Sequence, residues 1–173
     1  TFNWWVWHQG LTGGTYSIKL NDPSAQAAVA SVYTALPTST LINTGGSWTN
    51  GNPAIFYVFT SVEGFSKFGS YIGNGSTNGS FINTGFKPAF ILFKNASAYQ
   101  SWCIFDVARQ TYNVLGPLLL AEQPDAETSV TYVDALSNGF KLRTTNARVN
   151  GSGATHIYMA FAENPFGGED VAP

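Results

Sequence analysis

An all-β fold, antiparallel and of β-sandwich or jelly-roll type, is predicted by three features of this sequence. Short runs of alternating apolar and polar residues recur along its length. Gly, Asn-Gly and Pro signals break them about every 8 to 12 residues. No stretch alternates strands with amphipathic helices, so an α/β arrangement is disfavoured. Composition agrees. Of 173 residues only 10% are charged while 15% are aromatic, and 18 are glycine. Ser, Thr and Asn supply the remaining polarity, a mix that suits strands and tight turns better than long exposed helices.

The elements follow in order. Phe2 to His8 reads as a strand dense in large side chains, Gly10, Gly13 and Gly14 make a turn, and Tyr16 to Leu20 alternates again. Asp22-Pro23 followed by Ser24 to Ala30 is the one helix candidate, with Asp22 as cap and Pro23 in the first turn. Thr40 to Asn43 is a short strand, and Ala54 to Phe59 reads as a buried one. The stretch from Phe65 to Asn95 organises the rest. Its alternating runs break at Asn74-Gly75 and Asn78-Gly79, the strongest local signal for a β-hairpin. It closes with Ala89 to Phe93, an apolar strand expected to be covered on both faces.

Beyond that stretch the pattern returns. Trp102 to Asp106 matches Trp4 to His8, Tyr132 to Leu136 matches Val32 to Leu36, and Ile157 to Phe161 matches Ile55 to Phe59. An ordered set at a nearly constant offset predicts an internal repeat of about 100 residues. Residues 65–166 then form one complete unit and residues 1–64 an incomplete one, lacking about 35 residues that the repeat would place before Thr1. Residues 167–173 form a tail. An incomplete unit exposes strand edges, so a neighbouring subunit or further chain is expected to cover them.

The charge pattern excludes some functions. Net charge is −2, with no basic cluster, so binding to nucleic acid is not expected. A single cysteine, Cys103, rules out an intrachain disulfide framework and a Cys-based zinc site, and its apolar surroundings read as a buried side chain. No apolar run approaches the roughly 20 residues that cross a bilayer, so membrane insertion is not expected. No cofactor and no metal site is expected.

Glu122 with Asp125 and Glu127, or Asp106 with Asp134, would be the carboxylate pairs of a glycosidase, but the first group lies in a polar, Pro-containing loop. Calcium would suit the same oxygens, though their spacing matches no known loop. His8 and His156 are the only histidines, and no Gly-x-Ser-x-Gly elbow accompanies them. Asp106 and Arg109 read as a local ion pair. Among the aromatics, Trp4, Trp5, Trp7 and Trp102 read as core or subunit anchors, whereas Trp48, Tyr71 and Tyr99 are the candidates for contact with a ligand such as a sugar ring. Asn74, Asn78, Asn95 and Asn150 each begin an N-glycosylation triplet, and three of these are also ordinary Asn-Gly turns.

Four segments carry a resemblance: Phe65 to Gly75, Thr84 to Phe90, Leu136 to Arg143, and Tyr158 to Phe166. Together they resemble a repeat domain of virion proteins from tailed phages, marine and cyanobacterial phages in particular, found near the C-terminus of long tail-fibre-like proteins. Asn3 to Leu11 and Val62 to Phe65 are similar to the preceding copy. The resemblance brings no catalytic motif. It implies a non-enzymatic virion protein, a tail fibre or receptor-binding segment, located on the extracellular particle. Its expected partners are other virion subunits in a homo-oligomer, a trimer being favoured, and a host surface glycan or protein. A capsid decoration or head-fibre protein, and a tailspike-type glycan depolymerase, are the alternatives.

Overall fold

The structure, a computed structural model, describes residues 3–46, 53–110 and 112–167. It is built almost wholly of antiparallel strands, as the composition predicts. Three short strands, β1 (Trp5–Val6), β2 (Tyr16–Lys19) and β3 (Ala27–Ala28), form a small sheet in that order. The remaining strands form an eight-stranded sheet: β4 (Ser66–Ile72), β5 (Phe81–Asn83), β6 (Pro88–Asn95), β7 (Cys103–Asp106), β8 (Leu115–Leu120), β9 (Thr128–Leu136), β10 (Gly139–Leu142) and β11 (Thr155–Ala162). Its spatial order is β4-β11-β6-β7-β8-β9-β10-β5, and it curls into a nearly closed barrel.

Alternation decides what the barrel holds. Along β6, Ile91 and Phe93 point inward, and with Phe105, Val133, Phe140, Leu142 and Ala160 they are almost fully buried. Each buried large apolar side chain contributes about 1.5–3 kcal/mol relative to exposure. The rings meet edge to face, Phe93 against Phe140 at 5.1 Å and Phe140 against Tyr158 at 5.3 Å, the arrangement their quadrupoles favour. One end is plugged by a single helical turn, α1 (Ala147–Asn150), whose Val149 is fully buried. Asn146 caps it by accepting from the Arg148 amide at 2.9 Å.

The outward residues of β6 and β11 are covered in turn. Leu11 and Ile18 of the N-terminal segment pack with Trp102, Ile157 and the partly buried Leu92 in a second apolar cluster. The Trp102 indole donates to Lys19 O at 2.7 Å. Lys94, also outward and fully buried, donates from Nζ to Pro23 O at 2.8 Å and to Gln100 O. β6 is therefore covered on both faces, and its near-continuous apolar sequence follows from that.

Side chains replace missing ladder bonds. β8 runs through Gly116 and Pro117, where its pairing with β9 shifts register. There Gln110 donates to Val114 O at 2.8 Å and accepts from Gly116 N at 3.0 Å, taking the place of a neighbouring strand. At Gly139 a methyl group would overlap the carbonyl oxygen of Ile82 across the β10–β5 pair, so only glycine fits.

Several local expectations are corrected. Asp22 does accept from the Ser24 amide at 2.7 Å, but no helix follows. Ala27–Ala28 pairs with β2 instead, because one isolated helical turn cannot offset its nucleation cost. Ala54 to Phe59 is neither a strand nor buried. Thr40 to Asn43 forms no strand, although Thr44 bridges Tyr33. The Asn74-Gly75 and Asn78-Gly79 signals do not close a hairpin, since β4 and β5 stand at opposite edges of the sheet. The loop between them wraps around Asn150, whose amide satisfies that loop's backbone.

Candidate functional site

Two features stand out where the barrel fails to close. The first is the seam between β4 and β5. Edge strands expose unpaired backbone groups, and proteins cover them with loops or side chains. Here the Phe68 amide donates to Ser61 Oγ at 3.0 Å, the Phe68 carbonyl accepts from Gln9 Nε2 at 2.7 Å, and Val62 bridges Ser66. Beside these caps lies a polar cavity of about 440 Å³ lined by Ser61, Glu63, Lys67, Asn83 and Thr84. Ser61→Ala is expected to cost about 1 kcal/mol and to speed hydrogen exchange at the Phe68 amide, as loss of a single capping bond does.

The second feature is apolar and runs along the outer surface next to the seam. Phe59 stacks on Phe68 at 5.9 Å and meets Phe161 edge-on at 6.4 Å. Phe65 lies between Phe161 and Phe166, at 5.8 and 5.9 Å. From this aromatic shelf the chain Ile55-Phe56-Tyr57-Val58-Phe59 extends with all five side chains exposed, Ile55 at 80% and Tyr57 at 72%. Contiguous exposed apolar surface of this kind marks an interaction site more often than a free surface.

The sugar-contact candidates fare differently. Tyr99 stands on the loop after β6, 72% exposed. Tyr71 is partly buried: it stacks on His156 at 5.1 Å, and its hydroxyl donates to Val149 O at 2.6 Å. Burial raises that hydroxyl well above the usual tyrosine range. Trp48 lies outside the described residues. Of the tryptophans read as anchors, Trp102 is buried, whereas Trp4 is exposed.

Most carboxylates are held in separate partnerships. Glu122 accepts from the Trp102 amide at 3.1 Å, Glu127 pairs with Arg109, Asp134 pairs with Arg143, and Asp106 accepts from the Ala108 amide at 2.8 Å. Arg109 thus pairs with Glu127 and not with Asp106. Among the described residues, no three His, Cys, Asp or Glu groups come together to hold a metal ion. Cys103 is buried, and burial pushes its thiol up to about 12, so it is inert. His8 accepts from the Gly10 amide at Nδ1, and burial lowers its pKa. Lys94 is lowered to about 8 by burial, with Glu122 and Asp22 opposing the shift. Asn95 and Asn150 are buried and hydrogen-bonded, so the triplets they begin act as structural anchors.

Fold and site together define a β-barrel protein with an open seam, a polar cavity beside it and an exposed aromatic run. The chain belongs to the family described as Domain of unknown function (DUF7483), whose model matches residues 1–165. No curated protein and no solved structure matches it.

Proposed function

We propose that this chain is a non-enzymatic structural module of a phage virion, most plainly a tail-fibre or receptor-binding segment. In this reading the exposed run Ile55 to Phe59 is its assembly surface. That run carries the proposal: its apolar side chains, with Ile55, Tyr57 and Val58 each more than 70% exposed, form a surface of the kind that marks an interaction site. With Val62, Phe65 and Phe166 they offer on the order of 800 Å² of apolar surface if each presents about half its side chain, what one partner contributes to a stable interface. The segment carries no charge, so a second copy meets no like-charge repulsion. A homo-oligomer, with a trimer favoured, would present the seam cavity and Tyr99 several times over. Multivalent display turns weak glycan or protein contacts into useful avidity.

The virion assignment draws on the resemblance of residues 65–166 to phage repeat domains. All strands of the barrel fall inside 65–166, and the N-terminal segment covers the outer face of β6 and β11. The small sheet laid on its outer face supports the sandwich-like description.

Light scattering of the purified chain tests the proposal. A stable oligomer is expected at micromolar concentration, and the double variant Ile55→Asp with Tyr57→Asp is expected to be a folded monomer. A monomeric parent chain would overturn the assembly reading. Release of reducing ends from host-envelope polysaccharide would overturn the non-enzymatic one.

A further inference from the structure

A second cavity lies at the opposite end of the barrel. β11 runs from the α1 end at Thr155 to the aromatic end at Phe161, and this cavity sits where α1 meets the β8–β9 turn. It measures about 240 Å³, the scale of one small cyclic ligand, and Leu118, Leu120 and Val130 give it an apolar floor. Arg148, Asp125, Gln123 and Thr128 stand around that floor.

Arg148 is the informative residue. Its backbone is fixed, because its amide is held by Asn146 Oδ1 and the next two residues are fully buried. The residue is partly exposed and lines the cavity, and among the described residues its guanidinium forms no ion pair and no hydrogen bond. The other carboxylates nearby are engaged, Glu127 with Arg109 and Glu122 with the Trp102 amide. Asp125, exposed on the turn, is the one remaining acid at the cavity. A guanidinium that lines a cavity with its fork unused can take a planar carboxylate in two parallel hydrogen bonds. Around it, Gln123 commits Nε2 to Ser101 Oγ at 3.1 Å and keeps its Oε1. The Tyr132 hydroxyl accepts from Asn146 and keeps its proton to donate. Asp125 and Thr128 add acceptors and a donor. Such groups, dispersed around an apolar floor, match the hydroxyls and the C–H face of a sugar ring.

We infer that this cavity binds a carboxylate-bearing sugar residue, a uronate, with its carboxylate on Arg148 and its ring on Leu118, Leu120 and Val130. The choice of a saccharide rests on the adhesive reading above, whereas the demand for a carboxylate rests on Arg148 alone. Assembly at the aromatic end and capture at the α1 end would give the module a direction.

Titration of the intact chain with glucuronate and galacturonate oligosaccharides, followed by calorimetry and by amide NMR shifts, tests the inference. Binding is expected that weakens as salt rises, with at least tenfold weaker binding of the uncharged glucose and galactose counterparts. Arg148→Gln, which breaks no partner, is expected to keep its melting temperature and lose affinity at least tenfold, with Arg148→Lys in between. Equal binding of neutral sugars, unchanged affinity in Arg148→Gln, or no binding by the parent chain would each overturn the inference. Propionate binding as tightly as the uronates would also overturn it, leaving a simple carboxylate site and the oligomer result untouched.

Discussion

Asn150→Ala is expected to destabilise the protein by about 4 kcal/mol, the largest loss for any single side chain outside the aromatic core. Asn150 is fully buried, and its amide is the hub on which the β4–β5 loop, the 144–146 turn and α1 converge. Oδ1 accepts from the Asn74 amide at 2.9 Å. Nδ2 donates to Ser76 O at 2.8 Å, to Thr144 O at 2.7 Å and to Asn74 Oδ1 at 3.0 Å, so one of its two hydrogens is shared. Alanine would leave at least three backbone groups without these partners around a fully buried position, each loss costing about 1–3 kcal/mol with partial relaxation. Asn150→Asp should be no better. It keeps the acceptor but loses every donor and sets a negative charge against the carbonyl oxygens of Ser76 and Thr144. Urea unfolding measures the loss. Hydrogen exchange should locate it, with protection falling first at Asn74 and Gly75 while β7 and β11 hold. A loss below about 1 kcal/mol would show that the loop closes without Asn150.

This hub also shows how far the sequence could be read. Asn150-Gly151 is visible as a turn signal, but nothing local distinguishes an asparagine that forms its own turn from one that supports a loop more than seventy residues away. The distinction depends on β4 and β5 standing at opposite edges, a tertiary fact. Composition and period-two alternation did suffice for the all-β class and for β2, β4 and β6. They failed where a strand's partner matters more than its own pattern. Ile55 to Phe59 has the same apolar content as Ile157 to Phe161, yet β11 lies between two neighbours while Ile55 to Phe59 remains on the surface. A continuous apolar run indicates that water will be excluded without saying by which molecule. Ala27–Ala28 fails in the other direction, good helix formers drawn into an edge strand by β2. Of the candidate site, the aromatic content was legible. The Arg148 cavity was not, because its lining joins the β8–β9 hairpin to α1, which only the fold brings together.

Acidification from pH 6.5 to 4 is expected to remove about 3 kcal/mol of stability through His156 alone. The ring is fully buried, stacked on Tyr71, and lies beside the backbone of Arg148 and Gly151 without a well-formed hydrogen bond to either. Burial lowers its pKa to about 4, the two backbone groups oppose this weakly, and the Lys94 charge adds to it. The sign follows from proton counting. The folded chain binds fewer protons at His156 than the unfolded chain, whose imidazole titrates near 6.5, so the contribution is complete above that value. It is lost as pH falls towards about 4 and changes no further below it. Asp22, whose carboxyl is held below its usual range by the Ser24 hydroxyl and amide, loses its contribution over an overlapping acid range, so the parent curve alone does not isolate the histidine. His156→Leu does. The variant cannot bind the proton, and its urea midpoint should fall more shallowly than that of the parent chain between pH 6.5 and 4, whatever its stability at neutral pH. Parallel curves would mean that the folded protein accommodates a protonated ring at this position. A shallower curve would make His156 the group that ties the α1 end of the barrel, and the Arg148 cavity beside it, to ambient pH.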